Sequence, residues 1–150
     1  MTKSTWAEKI AKSKGLPKKV KVKGKGNKKM IIPAPKDVDK IMKRVRKGKL
    51  ITTKTILKAL AKKYRTDTCC QLTTGIFVWI AANTAKEKLD NGAKIVTPYW
   101  RTLKSDGSLN PKYPGGELTQ ARKLRSEGHK VARKGKKMVV LNYEDKLQKL

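Results

Sequence analysis

The sequence predicts a mainly α fold with short β elements, built around a helix-turn-helix and preceded by a basic N-terminal arm. Three observations carry that prediction. Apolar residues recur at helical spacing in successive segments between Val38 and Ala82. The second and third of these segments are separated only by the polar turn Arg65-Thr66-Asp67-Thr68, as in a helix-turn-helix. Cations crowd residues 1–29, which hold eleven Lys against one Glu.

Taken in order, residues 1–29 include the Lys-rich run from Lys18 to Lys29 and too little apolar surface to offset the entropy of ordering. They are read as a flexible arm that lies along phosphates, with Trp6 and Ile10 spaced for one helical turn. The folded domain is expected over residues 30–150, opening at Met30-Ile31-Ile32. Asp37 stands where an N-cap belongs, Val38, Ile41, Met42 and Val45 follow on one helical face, and Lys47-Gly48 closes the helix. Leu50-Ile51-Thr52 is an extended link, and Thr53 is the expected cap of a second helix. In that helix Ile56, Leu57, Leu60, Ala61 and Tyr64 mark the buried face. The third helix is expected over 69–91, with Gly92 as its stop and with Cys69 and Cys70 as packing residues at its start. Downstream come an extended segment at Lys94–Pro98, a tight turn at Ser105-Asp106-Gly107-Ser108 and a Gly/Pro loop from Leu109 to Gly116. A helix over Glu117–Glu127 should bury Leu118, Ala121 and Leu124. A strand at Met138–Leu141 and a short helix from Tyr143 to Leu150 complete the chain.

Composition bounds the function. The 150 residues carry 39 Lys and Arg against 11 Asp and Glu, a net charge of +28. So much like charge calls for a polyanion, and nucleic acid is the leading partner. No run of 18 apolar residues occurs, so no membrane span is expected, and the Lys-dotted N-terminus has no apolar signal region. Two adjacent cysteines and one histidine make neither a disulfide framework nor a zinc site, and no cofactor or metal is expected.

One region carries a family resemblance. The run Thr97-Pro98-Tyr99-Trp100-Arg101-Thr102-Leu103-Lys104-Ser105-Asp106-Gly107-Ser108-Leu109, then Tyr113-Pro114-Gly115-Gly116, then Leu124 to Gly128-His129, resembles the active-site half of the O6-alkylguanine-DNA alkyltransferases. That family shows a Pro-Cys-His-Arg-Val motif, a Ser-Asp-Gly-Ser-Leu-like turn, a Tyr-x-Gly-Gly loop and a helix ending in Glu-Gly. Upstream, Lys47-Gly48-Lys49-Leu50-Ile51-Thr52 is similar to the segment leading into the family's helix-turn-helix. The resemblance spans about residues 36 to 130 in register. It implies a winged helix-turn-helix that binds the DNA minor groove and flips a damaged guanine into a pocket.

The departures from the family bear on activity. Tyr99 stands at the acceptor cysteine, Trp100 at the neighbouring histidine, and Ala121 at the glutamate that orients it. Alkyl transfer needs a thiolate and a positioned base, so the chain is not expected to be an enzyme. It resembles instead the non-enzymatic alkyltransferase-like group, which binds O6-alkylguanine and flags it for excision repair. The resemblance implies Thr53, Lys54, Thr68, Gln71, Leu72, Thr73, Arg101 and Lys104 as DNA-binding residues. It implies Asn91, Tyr99, Trp100, Tyr113, Gly115 and Gly116 around a base pocket, which the two bulky aromatics could equally fill. Thr53 falls on the family's phosphate-rotating tyrosine and Leu72 near its finger arginine. Leu72 is either an apolar wedge between bases or a core residue of a very apolar helix, and the core placement is the expectation. Arg101 either holds its loop together or touches DNA.

Three functions are weighed. The first is a non-catalytic, alkyltransferase-like binder of duplex DNA recognising alkylated guanine or other damaged bases, with excision-repair proteins as further partners. The second is a sequence-independent architectural binder, nucleoid or ribosome-associated, for which RNA is the alternative polyanion. The third, disfavoured, is an enzyme using Cys69 or Cys70 as acceptor. A cytoplasmic location is expected, on the nucleoid if the source is prokaryotic.

Overall fold

The computed structural model describes residues 15–24 and 26–150; the Trp6–Ile10 turn lies outside them. Regular structure occurs within the stretch that composition reads as a flexible arm. β1 (Lys18–Lys21) and β2 (Lys29–Ile32) form an antiparallel hairpin pairing Lys18 with Ile32 and Lys21 with Lys29. β2 also runs parallel to β4 (Thr68–Cys69), with Ile31 opposite Cys69. This hairpin straddles the boundary drawn after residue 29. The local sequence has little to bury, but Ile31 reaches the main core, where it is 1% exposed. That burial comes from segments distant in sequence.

The helices stand close to their predicted places. α1 (Pro35–Lys43) buries Val38, Ile41 and Met42. Its N-cap is Ala34, not Asp37; the Asp37 carboxylate reaches back from the first turn to accept the Ala34 backbone N–H at 3.0 Å. The same carboxylate accepts the Tyr64 hydroxyl at 2.7 Å and pairs with Lys63 at 3.3 Å. The helix ends at Lys43, short of Lys47-Gly48. β3 (Ile51–Thr52) leads into α2 (Thr53–Lys63), whose cap is Thr52, one residue before the expected Thr53. Thr52 and Thr55 cap each other reciprocally, each backbone N–H donating to the other's hydroxyl oxygen at 3.3 Å. Arg65 adopts a left-handed φ of 55° in the turn to β4. α3 (Gln71–Asp90) follows, so Cys69 lies in β4 and Cys70 at the N-cap, before the helix rather than within it. Ile31, Val38, Met42, Ile56, Leu60, Val78 and Ala82 share the main core.

The second half is held to the first by β5 (Thr102–Leu103), which pairs in parallel with β3. A second core of Leu50, Leu103, Leu109, Ala121, Leu124, Met138 and Val140 lies beneath it, and Trp100 packs against both cores. α4 (Gly116–Ser126) buries Gln120, Ala121 and Leu124, while Leu118 is 70% exposed. This corrects the expectation for Leu118, which lies about 120° round the helix from Leu124. The strand expected at the C-terminus is β7 (Lys137–Val140), and its antiparallel partner β6 (Val131–Lys134) was not predicted. The predicted terminal helix is replaced by a 3-10 turn at Tyr143–Lys146. Leu50 bridges Leu147, and the Gln148 backbone N–H donates to the Leu50 carbonyl at 2.8 Å, which holds the tail extended. The architecture is a mainly α, winged helix-turn-helix with α2 and α3 as the helical pair and β6–β7 as the wing.

Candidate nucleic-acid interface

An exposed turn meets the start of α2. Thr53, the first residue of α2, meets Ser105 with their hydroxyls 3.0 Å apart, and Lys54 and Lys104 are exposed beside them. The turn carrying Ser105 is braced by its own side chains. Ser108 donates its hydroxyl and its backbone N–H to the Asp106 carboxylate at 2.5 and 3.0 Å, and Lys137 pairs with Asp106 at 2.9 Å. Those bonds, the Ser108 hydroxyl first, hold the Asp106 carboxyl well below the usual carboxylate range. Gly107 is required there: its φ is +82°, and a Cβ would lie 2.3 Å from the Tyr143 ring.

The wing is fastened to this turn. Val139 bridges Ser108, and the Leu109 backbone N–H donates to the Met138 carbonyl at 2.9 Å. Its tip, Gly135-Lys136, joins Lys134 to Lys137, with Gly135 at φ 64°. Arg133, Lys134, Lys136 and Lys137 are all exposed. The wing cations were missing from the sequence-based set, although a Gly-Lys pair between Lys134 and Lys137 is a hairpin signal.

The face of α3 differs from expectation. Gln71 and Thr68 are exposed, and Thr73 is half-buried with its hydroxyl 3.2 Å from the Cys70 thiol. Leu72 is 75% exposed, which overturns its assignment to the core. Ile76, 45% exposed, and Trp79, 37% exposed, continue the stripe one and two turns on. The Trp79 indole N–H donates to the Lys112 carbonyl at 3.1 Å and ties α3 to the Gly/Pro loop.

Arg101 takes the structural one of its two roles. Its guanidinium forks onto Glu127 at 2.9 and 2.6 Å and donates to the Val45 carbonyl at 2.7 Å. Both side chains of the pair are largely buried, so Arg101 joins the ends of α1 and α4 instead of facing solvent.

The residues expected around a base pocket form two groups. Tyr99 (1% exposed) and Tyr113 (3%) are core residues in edge-to-face contact, ring centroids 5.3 Å apart. Trp100 packs on the other edge of Tyr99, also at 5.3 Å, with the Lys123 ammonium 4.7 Å from its own ring centre. The Tyr113 hydroxyl donates to the Thr102 carbonyl at 3.0 Å, and burial pushes both phenols' pKa values upward. Gln120, not singled out in the sequence, locks the surrounding loops. Its carbonyl accepts from the Asn110 backbone at 2.9 Å and its amide donates to the Trp100 carbonyl at 3.1 Å. Gly115 is exposed at the N-cap of α4, with Gly116 next to it, and Asn91 is exposed at the C-cap of α3. Cys69 is buried, its thiol pushed up by burial and in contact with the Thr74 hydroxyl at 3.3 Å.

No protein-family model matches the sequence, and no curated protein matches it. Solved structures do. The Schizosaccharomyces pombe (S. pombe) protein Atl1, in complex with damaged DNA containing O6-carboxymethylguanine, is 17% identical, with a TM-score of 0.53 over 77% of this chain and 94% of that chain. A structure of S. pombe ATL in complex with DNA is 16% identical, with a TM-score of 0.54 over the same shares of the two chains. With its helix-turn-helix, its wing and the aromatic-lined loops between them, the chain has the alkyltransferase-like fold.

Proposed function

We propose that this chain is a non-enzymatic protein that binds damaged duplex DNA, with O6-alkylguanine as its lesion class. The observation that carries the reading is the exposed stripe Leu72, Ile76 and Trp79 on α3, the second helix of the helix-turn-helix. An apolar stripe left in water on a chain of net charge +28 calls for a partner that is both anionic and able to accept apolar wedges. A duplex opened at a damaged base offers both: phosphates for the lysines and an unstacked step for Leu72. The likeness to structures solved with DNA supports the same partner. A binding role without transfer is supported by the buried phenol of Tyr99 at the acceptor position and by the buried Cys69 thiol, whose pKa burial raises. Excision-repair proteins would then be the readers of the bound complex.

The deciding measurement is affinity for a duplex containing O6-methylguanine against the same duplex unmodified. A preference of about tenfold, worth about 1.4 kcal/mol, is expected, and the protein's mass should stay unchanged after incubation with the alkylated duplex. Equal affinity for the two duplexes overturns lesion recognition. It would favour the second reading, a sequence-independent architectural binder, which rests on Tyr99 occupying the space between Tyr113 and Trp100. Leu72→Ala should weaken binding to the alkylated duplex about tenfold. It should move stability by no more than about 0.5 kcal/mol, because the side chain is solvent-exposed. A variant that binds as tightly as the parent rules out the wedge.

A further inference from the structure

We propose that the β1–β2 hairpin is a second, structured phosphate-binding element that extends the DNA footprint beyond the start of α3; this rests on the duplex-binding reading above. Strand register places it. Ile31 lies opposite Cys69, the Cys70 backbone N–H donates to the Ile31 carbonyl at 2.9 Å, and Lys18 pairs with Ile32. Cys70 is the N-cap of α3, so the chain enters β1 level with the first turn of that helix. It stands two strand spacings, about 10 Å, to one side. The Asp67 carboxylate accepts the Lys29 backbone N–H at 2.8 Å, so the hairpin is also tied to the turn of the helix-turn-helix.

The hairpin's chemistry suits a phosphate backbone. Lys18, Lys19, Lys21, Lys23, Lys28 and Lys29 are exposed, and no Asp or Glu occurs between residues 15 and 36. Neither a base edge nor an apolar pocket is served by a surface of ammonium groups alone, whereas counterion release from a duplex is. Lysines on an open edge strand also discourage edge-to-edge pairing, and among the described residues β1 is such an edge. That protective role predicts self-association, not weaker DNA binding, when the charge is removed.

Two measurements test the proposal on the full chain. In the first, the triple variant Lys18→Gln, Lys19→Gln, Lys21→Gln is compared with Lys86→Gln, Lys88→Gln, Lys94→Gln at the far end of α3, a helix about 30 Å long. Affinity for an unmodified duplex is read across salt concentrations. The hairpin triple should weaken binding about tenfold or more and flatten the slope of log affinity against log salt by about two. The remote triple should leave both nearly unchanged. Equal effects of the two triples, no effect of either, or self-association with an unaltered slope would each overturn the proposal. In the second, acetylation of Lys18, Lys19 and Lys21 in the unmutated protein is followed by mass spectrometry with and without duplex. Bound duplex should slow the modification several-fold, and an unchanged rate refutes the contact even where the triple variant does not fold. The ratio of affinities for alkylated and unmodified duplex should survive the hairpin triple. A parent ratio of one with a hairpin-dependent slope would end lesion recognition and leave this element standing.

Discussion

Arg101→Ala should lower the free energy of unfolding by about 3–5 kcal/mol, because it strands a buried carboxylate. Arg101 and Glu127 are only 13% and 7% exposed at their side chains, and the guanidinium makes two bonds to the carboxylate and one to the Val45 carbonyl. Arg101→Lys should recover only part of the loss, since one ammonium cannot reproduce the planar fork. Burial alone would raise the Glu127 carboxyl, but Arg101 outweighs it and the net pKa lies below the usual value. A depressed carboxyl stabilises the fold above its unfolded pKa of about 4.3 and loses that contribution as pH falls below it. This part of the acid destabilisation should disappear in Arg101→Ala. A urea midpoint that moves by less than about 0.5 kcal/mol equivalent would show that the fork is dispensable.

Tyr99→Ala should cost about 3–5 kcal/mol, the range for removing a buried aromatic ring. Tyr99 is in edge-to-face contact with both Tyr113 and Trp100, and the space it would vacate is bordered by loops that Gln120 holds. Those loops have little freedom to collapse inward, so the cost should fall at the upper end. Thermal and chemical denaturation both read it. A loss under about 1 kcal/mol would mean that the ring fills an adaptable gap and not a packed core.

Periodicity located the helical pair well because its signal is local. Ile56 and Leu60 are buried where spacing put them, and Gly92 ends α3 as expected. The misplacements come from non-local burial. Leu72 belongs to an apolar run, and hydrophobicity alone assigned it inward, but it lies on the face of α3 opposite Thr74, Val78 and Ala81, which turn to the protein interior, and so it stays in water. Ile31 is the converse: it sits at the end of a lysine-rich stretch and is buried because β4 supplies a strand to pair with. Of the site residues, Thr53, Lys54, Thr68, Gln71 and Lys104 emerged as surface positions. Arg101 could not be placed from sequence, since its partner Glu127 lies on another element.

By itself, the sequence determined the charge, the helix-turn-helix pair and the order of the loops. These are properties of composition, spacing and identity, and no folding is needed to read them. Only the tertiary structure decided which side chains face outward. It exposed Leu72, Ile76 and Trp79, buried Tyr99 against Tyr113, engaged Arg101 with Glu127, and turned half of a lysine-rich arm into a hairpin beside α3. The physical reason is common to all four. Helical spacing fixes which residues share a face, but whether that face meets a core, a partner strand or water depends on segments far away in the chain.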